Sequence, residues 1–94
     1  DIINEYFNST EYPLSVIKQK TRKKNVVLRR YIYMYALMKY CGYTNATTGL
    51  KSGGFDHSTV VHAVRKINEW LEFDKVYKPI IENHLANIKE RLEW

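Results

Sequence analysis

Asp56, His57, Ser58 and Thr59 follow one another directly after Gly53-Gly54-Phe55. Together they offer a carboxylate acceptor, an imidazole that can donate or accept, and two hydroxyls that can do both. Such a set suits hydrogen bonding to base edges. Asp accepts from cytosine N4, imidazole exchanges hydrogen bonds with base edges, and Ser58 or Thr59 can reach a base or a phosphate. Asp56 is equally ordinary as a helix N-cap, and the two roles are compatible. A second group, Lys20, Arg22, Lys23 and Lys24, suits phosphate oxygens, and its guanidinium could enter a minor groove, whose negative potential favours arginine. Read without function, the same run is a solvated connector.

Other chemistries find no support. There is no Gly-rich loop ending in Lys-Ser/Thr, no convergent carboxylate pair, and no Ser or Cys nucleophile with an evident base. The chain therefore reads as a non-enzyme without cofactor or small-molecule substrate. His57 and His62 are five residues apart, whereas ligands on one helix converge at spacings of about three or four, so a metal site is not expected. His62 reads instead as a hydrogen-bonding residue that helps to lock the turn.

The elements that must hold these groups are legible. Two glycines supply a turn, and Val60, Val64, Ile67 and Leu71 then recur at helical spacing over about residues 56–71, leaving Ser58, Thr59, His62, Arg65 and Lys66 on the other faces. A short helix over 45–52, preceded by Thr44, leads into that turn. Short helix, tight turn and longer helix make a helix-turn-helix.

Charge is concentrated where the chemistry is. Residues 18–68 carry a net +10, flanked by a −3 segment before and a −2 segment after, for +5 in total. Solubility asks only for interspersed charge; a cationic centre between acidic ends reads as a surface for a polyanion. Ninety-four residues with 45% hydrophobic content suit one domain spanning 1–94. A lone cysteine, Cys41, and the lack of a signal-peptide pattern suit the cytoplasm. The apolar run over 26–40 is interrupted by Arg29, Arg30 and Lys39, so no membrane span is expected.

In chain order, residues 1–7 fit a short amphipathic helix, Asn8-Ser9-Thr10 a break, and 13–17 a second helix with Pro13 in its first turn. Residues 18–25 read as a basic loop. Asn25 is a plausible cap for a third helix over 26–41 that stops at Gly42. That helix is apolar nearly all round and should be the central strut. Arg29 and Arg30 fall in its first turns, at the positive end of the helix dipole, a misplacement that a nearby phosphate would relieve. Residues 74–94 read as a closing helix with Ile81, Leu85, Ile88 and Leu92 on one face and Pro79 near its start. Residues 91–94, with Trp94 last, could form a partner surface. The fold class is all-α, a compact bundle of about six helices containing the helix-turn-helix.

Gly53-Gly54-Phe55-Asp56-His57-Ser58-Thr59-Val60-Val61-His62-Ala63 resembles the signature of the DNA-binding C-terminal domain of the bacterial replication initiator DnaA. The signature reads roughly Gly-Gly-(Arg/Lys)-Asp-His-(Thr/Ser)-Thr-Val-(Leu/Ile)-His-Ala. Upstream, Ile2-Ile3 and Tyr6-Phe7-Asn8 look like that family's opening helix, Lys20-Thr21-Arg22-Lys23-Lys24 like its basic loop, and Arg30-Tyr31-Ile32-Tyr33-Met34-Tyr35 like its core helix. The resemblance implies base readout by Asp56, His57 and Ser58 with support from Thr59. It also implies a minor-groove role for Arg22 beside Lys23 and Lys24, and phosphate contacts from Arg30 and Lys66. Its expected partners are double-stranded DNA and other replication proteins. Two departures stand out: Asn45-Ala46-Thr47-Thr48-Gly49 replaces the family's Leu-Pro-x-Ile-Gly, and Phe55 replaces a basic residue. The initiator's ATPase machinery is not in this stretch, which suits either a piece of a larger initiator or a free-standing domain. The competing reading is a protein-interaction adapter that keeps the fold, presents Phe55, Tyr43 and the tyrosine-rich helix, and no longer reads DNA.

Overall fold

In the computed structural model, which describes residues 1–93, six helices and no strands are found: α1 (Ile2–Asn8), α2 (Leu14–Ile17), α3 (Lys24–Cys41), α4 (Asn45–Lys51), α5 (His57–Phe73) and α6 (Tyr77–Leu92). This is the all-α bundle the sequence predicts. Trp94 lies outside the described residues, and with it part of the expected tail surface.

The helix boundaries follow from local chemistry. Asp1 caps α1 by accepting from the Asn4 N–H at 3.0 Å, and Thr44 Oγ1 caps α4 by accepting from the Thr47 N–H at 3.1 Å. Pro13 stands just ahead of α2 in an extended conformation, and Asn8 Oδ1 accepts from the Leu14 N–H at 2.9 Å. The third helix departs from expectation. It begins at Lys24 with Lys23 in the cap position, so Lys24 belongs to the helix and Asn25 is not its cap. α6 starts at Tyr77 because Asp74 Oδ1 accepts from the Val76 and Tyr77 N–H groups at 2.9 and 2.8 Å, leaving Pro79 in the first turn, where its missing N–H is not needed.

α3 is the strut about which the others pack, touching α1, α2, α4, α5 and α6. Leu28, Ile32, Tyr33, Ala36 and Leu37 from α3 are buried with Ile3 and Phe7 of α1, Ile17 of α2, Ile67 of α5, and Ile81 and Ile88 of α6. A second cluster joins Met34 of α3 to Val60 and Ala63 of α5, with Phe55 packed against it. Burial of this kind contributes about 25 cal/mol per Å² of apolar surface, so α5 is anchored on α3 through both clusters. Among the described residues, no helix is long and apolar enough to cross a membrane.

Candidate nucleic-acid interface

Gly53 and Gly54 adopt φ of +114° and +80°, a region L side chains avoid. The turn they make is packed from two sides. A Cβ on Gly49 would lie 2.0 Å from the Phe55 carbonyl oxygen, and one on Gly53 would lie 2.7 Å from that of Lys18. The Gly49 carbonyl also accepts from the Gly54 and Phe55 N–H groups at 3.0 and 2.9 Å. Gly49 thus weakens α4 as an isolated helix but lets α4 and the turn meet.

Beyond the turn the tip of α5 is open to solvent. The side chains of Asp56 and His57 are 66% and 67% exposed, with His57 Nδ1 3.1 Å from Asp56 Oδ1. Ser58 Oγ donates to Asp56 Oδ2 at 2.5 Å. That hydrogen bond, followed by the neighbouring imidazole, holds the carboxyl below its ordinary pKa. Asp56 occupies the cap position, yet its side chain makes no cap hydrogen bond to the helix. The expected capping role is therefore not what this side chain performs; Asp56, His57 and Ser58 form a hydrogen-bonded polar tip.

The basic loop lies beside that tip. Lys20, Thr21, Arg22, Val27, Arg30, Tyr31, Phe55 and Thr59 line one open cleft of about 500 Å³. Arg22 and Lys23 are exposed. Lys24, also exposed, lines with Arg22, Val27, Trp70 and Tyr77 a smaller recess of about 210 Å³ that continues the same surface. Lys66 is not a wall of either. It stands about 13 Å along α5 from the tip at 1.5 Å per residue, with Nζ 3.1 Å from Glu69 Oε2 and over the Trp70 ring.

Arg30 corrects the sequence reading. It is only 4% exposed, and its guanidinium faces inward. Nε donates to Ile17 O at 2.9 Å, Nη1 to Thr21 O at 3.4 Å, and Nη2 to Gln19 O and to Thr21 O, the latter at 3.3 Å. Burial lowers its pKa from the ordinary value. A guanidinium committed to three backbone carbonyls shapes the loop and is not an outward phosphate ligand. Arg29 turns elsewhere, over the ring of Tyr12 at 4.3 Å. The misplacement of these arginines thus has an internal reason.

Phe55 and Lys20 join the two halves of the surface. Lys20 Nζ donates to the Gly54 carbonyl at 2.8 Å and sits 3.6 Å from the centroid of the Phe55 ring. The Arg30 guanidinium lies 4.7 Å from the same centroid. No spacing in the sequence marks this pairing, since Lys20 and Gly54 are 34 residues apart. His62 does not lock the turn as expected: Arg65 Nη2 lies 3.3 Å from its Nδ1, and its ring meets Tyr31 edge-on. Among the described residues no cluster of His, Cys, Asp and Glu is arranged to hold a metal.

Known sequences share this pattern. The family model described as bacterial dnaA protein helix-turn-helix matches residues 1–67, which run from the start of α1 into α5. The chromosomal replication initiator protein DnaA of Bacteroides fragilis is 32% identical over 91 residues, covering 97% of this chain and 19% of that protein. The proteins of that name from Enterococcus faecalis and Mycoplasma capricolum are 34% identical over 90 residues and 40% identical over 76. They cover 96% and 79% of this chain, and 19% and 17% of their own lengths is matched. The chain thus spans less than a fifth of these curated relatives. No solved structure gives a significant match.

Proposed function

Because the chain belongs to the bacterial DnaA helix-turn-helix family, we propose that it binds double-stranded DNA by base sequence, with the tip of α5 in the major groove and the loop at residues 20–24 at the adjacent minor groove. In this reading Asp56, His57 and Ser58 meet base edges, Thr59 supports them from the cleft wall, and Arg22 enters the minor groove. Lys23, Lys24 and Lys66 serve phosphates, Lys66 by exchanging Glu69 for a phosphate oxygen. The site bound is of the kind a chromosomal replication initiator recognises, and the domain does no catalysis.

One observation carries the proposal: Phe55 and Thr59, the residues on either side of the exposed Asp56-His57-Ser58 tip, line the same cleft as Lys20 and Arg22 of the basic loop, which supports a surface that brings hydrogen-bonding groups and positive charge together. Base readout needs the first and polyanion affinity the second. The DNA reading is favoured over the adapter reading by how part of the adapter's surface is used. Phe55 packs against Met34, Val60 and Ala63, Tyr33 is buried, and Lys51 covers the ring of Tyr43 at 4.9 Å.

Selection of duplexes from a random pool, followed by a salt titration on the winner, tests the proposal. A recurrent sequence should emerge, and with about five phosphates neutralised log K should fall against log salt with a slope of about −4 to −5. A pool that stays random after selection, or affinity indifferent to salt, removes it.

A further inference from the structure

We propose that Phe55, clasped by Lys20, fixes the distance between the basic loop and the tip of α5, so that the chain reads a composite site whose major-groove and minor-groove parts must be correctly spaced. The inference rests on the DNA-binding reading and adds a positioning role for two residues outside the set of DNA contacts.

Three sets of contacts converge on the ring and its neighbours. Lys20 spends its ammonium on the Gly54 carbonyl and on the face of Phe55, so its charge is held by the turn. Arg30 approaches the same ring while gripping the loop carbonyls of Ile17, Gln19 and Thr21. Behind the ring, Met34, Val60 and Ala63 belong to α3 and α5, and Gly53 backs directly onto Lys18. One aromatic side chain is therefore in contact with the loop on one side and the recognition helix on the other. A loop of small and charged residues has little packing of its own to hold it. Cations over an aromatic face supply such a restraint, and a basic residue at position 55 would repel Lys20 and Arg30 where phenylalanine attracts them.

A pre-set spacing has a signature that phosphate attraction lacks. Loosening the latch should reduce affinity for the correctly spaced site while leaving general affinity and the salt slope alone, because no phosphate contact is lost. It should also make the chain more tolerant of a change in spacing.

The test compares wild type, Phe55→Leu and Phe55→Tyr. Leu keeps apolar packing but has no ring, and Tyr keeps the ring. Each is titrated with the duplex recovered by selection, with a set of duplexes carrying one inserted base pair at successive positions, and with a scrambled duplex. Phe55→Leu should lose about fivefold to thirtyfold on the selected duplex, the range expected when two cation–π contacts go. It should bind the scrambled duplex as wild type does and show a smaller penalty for insertion, and Phe55→Tyr should restore wild-type behaviour. An equal loss on every duplex, or an insertion penalty unchanged in Phe55→Leu, overturns the proposal. Amide hydrogen exchange on the free chain reads the latch without DNA: Phe55→Leu should speed exchange at residues 18–22 and spare α3 and α5. Unchanged exchange there denies the latch. A wild type that prefers no duplex sinks the DNA reading itself, and the exchange data then decide separately whether the latch exists.

Discussion

The phenolic oxygen of Tyr6 lies 2.7 Å from Nδ1 of His84, joining α1 to α6 across 78 positions of chain. In the neutral tautomer that carries its proton on Nε2, the hydroxyl donates and Nδ1 accepts. His84 also stacks on Phe7 at 5.7 Å and is buried. Burial, with the charge of Arg29 adding to it, pulls its pKa down from 6.5 to about 4. The unfolded chain therefore binds this proton more readily than the folded one, so stability rises with pH between those values. The contribution should be intact above 6.5 and lost as pH falls toward 4, to the extent of roughly 3 kcal/mol. Urea midpoints across that range will show the slope. His84→Gln, which keeps an acceptor for Tyr6 but cannot titrate, should flatten it; a slope equal to wild type in that variant refutes the assignment.

Gly49→Ala should destabilise, although helix propensity taken alone gives the opposite sign. Alanine in a solvent-exposed helix gains about 1 kcal/mol over glycine. At position 49 the added methyl would meet the Phe55 carbonyl oxygen at 2.0 Å, and the turn whose N–H groups reach Gly49 O would have to move. A loss of about 2–4 kcal/mol is expected in urea unfolding. A variant as stable as wild type would mean that α4 and the turn can part without cost.

How much of this could be read from the sequence depends on the range of the forces involved. The helix-turn-helix, the stop at Gly42 and the central position of α3 are written in local patterns, because capping, turn chemistry and apolar periodicity act within a few residues. The exposure of the tip and its place beside the basic loop also follow the sequence reading. What escaped is long-range and polar. Nothing local marks His84, yet it is a core histidine because Tyr6 and Phe7 come to it from the other end of the chain. Arg30 looked like a phosphate ligand, yet it holds the loop's carbonyls. Phe55 was undecidable, since its role depends on Lys20, which only the folded chain brings near. The family pattern offered candidates for contact with bases and phosphates but not the parts that hold them in place.

Arg30→Lys separates a loop-shaping arginine from a phosphate ligand. Lysine keeps the charge but cannot hold three carbonyls with a planar fork. If Arg30 shapes the loop, the substitution should cost roughly 2–3 kcal/mol of stability through carbonyls left unpaired. It should also weaken binding to the preferred duplex while leaving the salt slope nearly as it was. Were Arg30 an outward phosphate ligand, a lysine there would serve almost as well, and neither stability nor preferred-site affinity would move.

His57→Ala and Lys23→Ala should fail in different ways, and the difference tests the division of labour between tip and loop. His57 is two-thirds exposed and beside Asp56, so in the proposed reading its loss removes a group that only the correct base edge rewards. The expected cost is about 1–3 kcal/mol on the selected duplex, with little change on scrambled DNA. Lys23 is exposed at the start of α3 and in the proposed reading meets phosphate. Its removal should weaken both duplexes alike and reduce the salt slope by about one. Binding isotherms for the two variants on two duplexes at three salt concentrations suffice. If His57→Ala loses equally on every sequence, the tip of α5 contributes charge and shape but no readout, and specificity must come from the loop or from the form of the duplex.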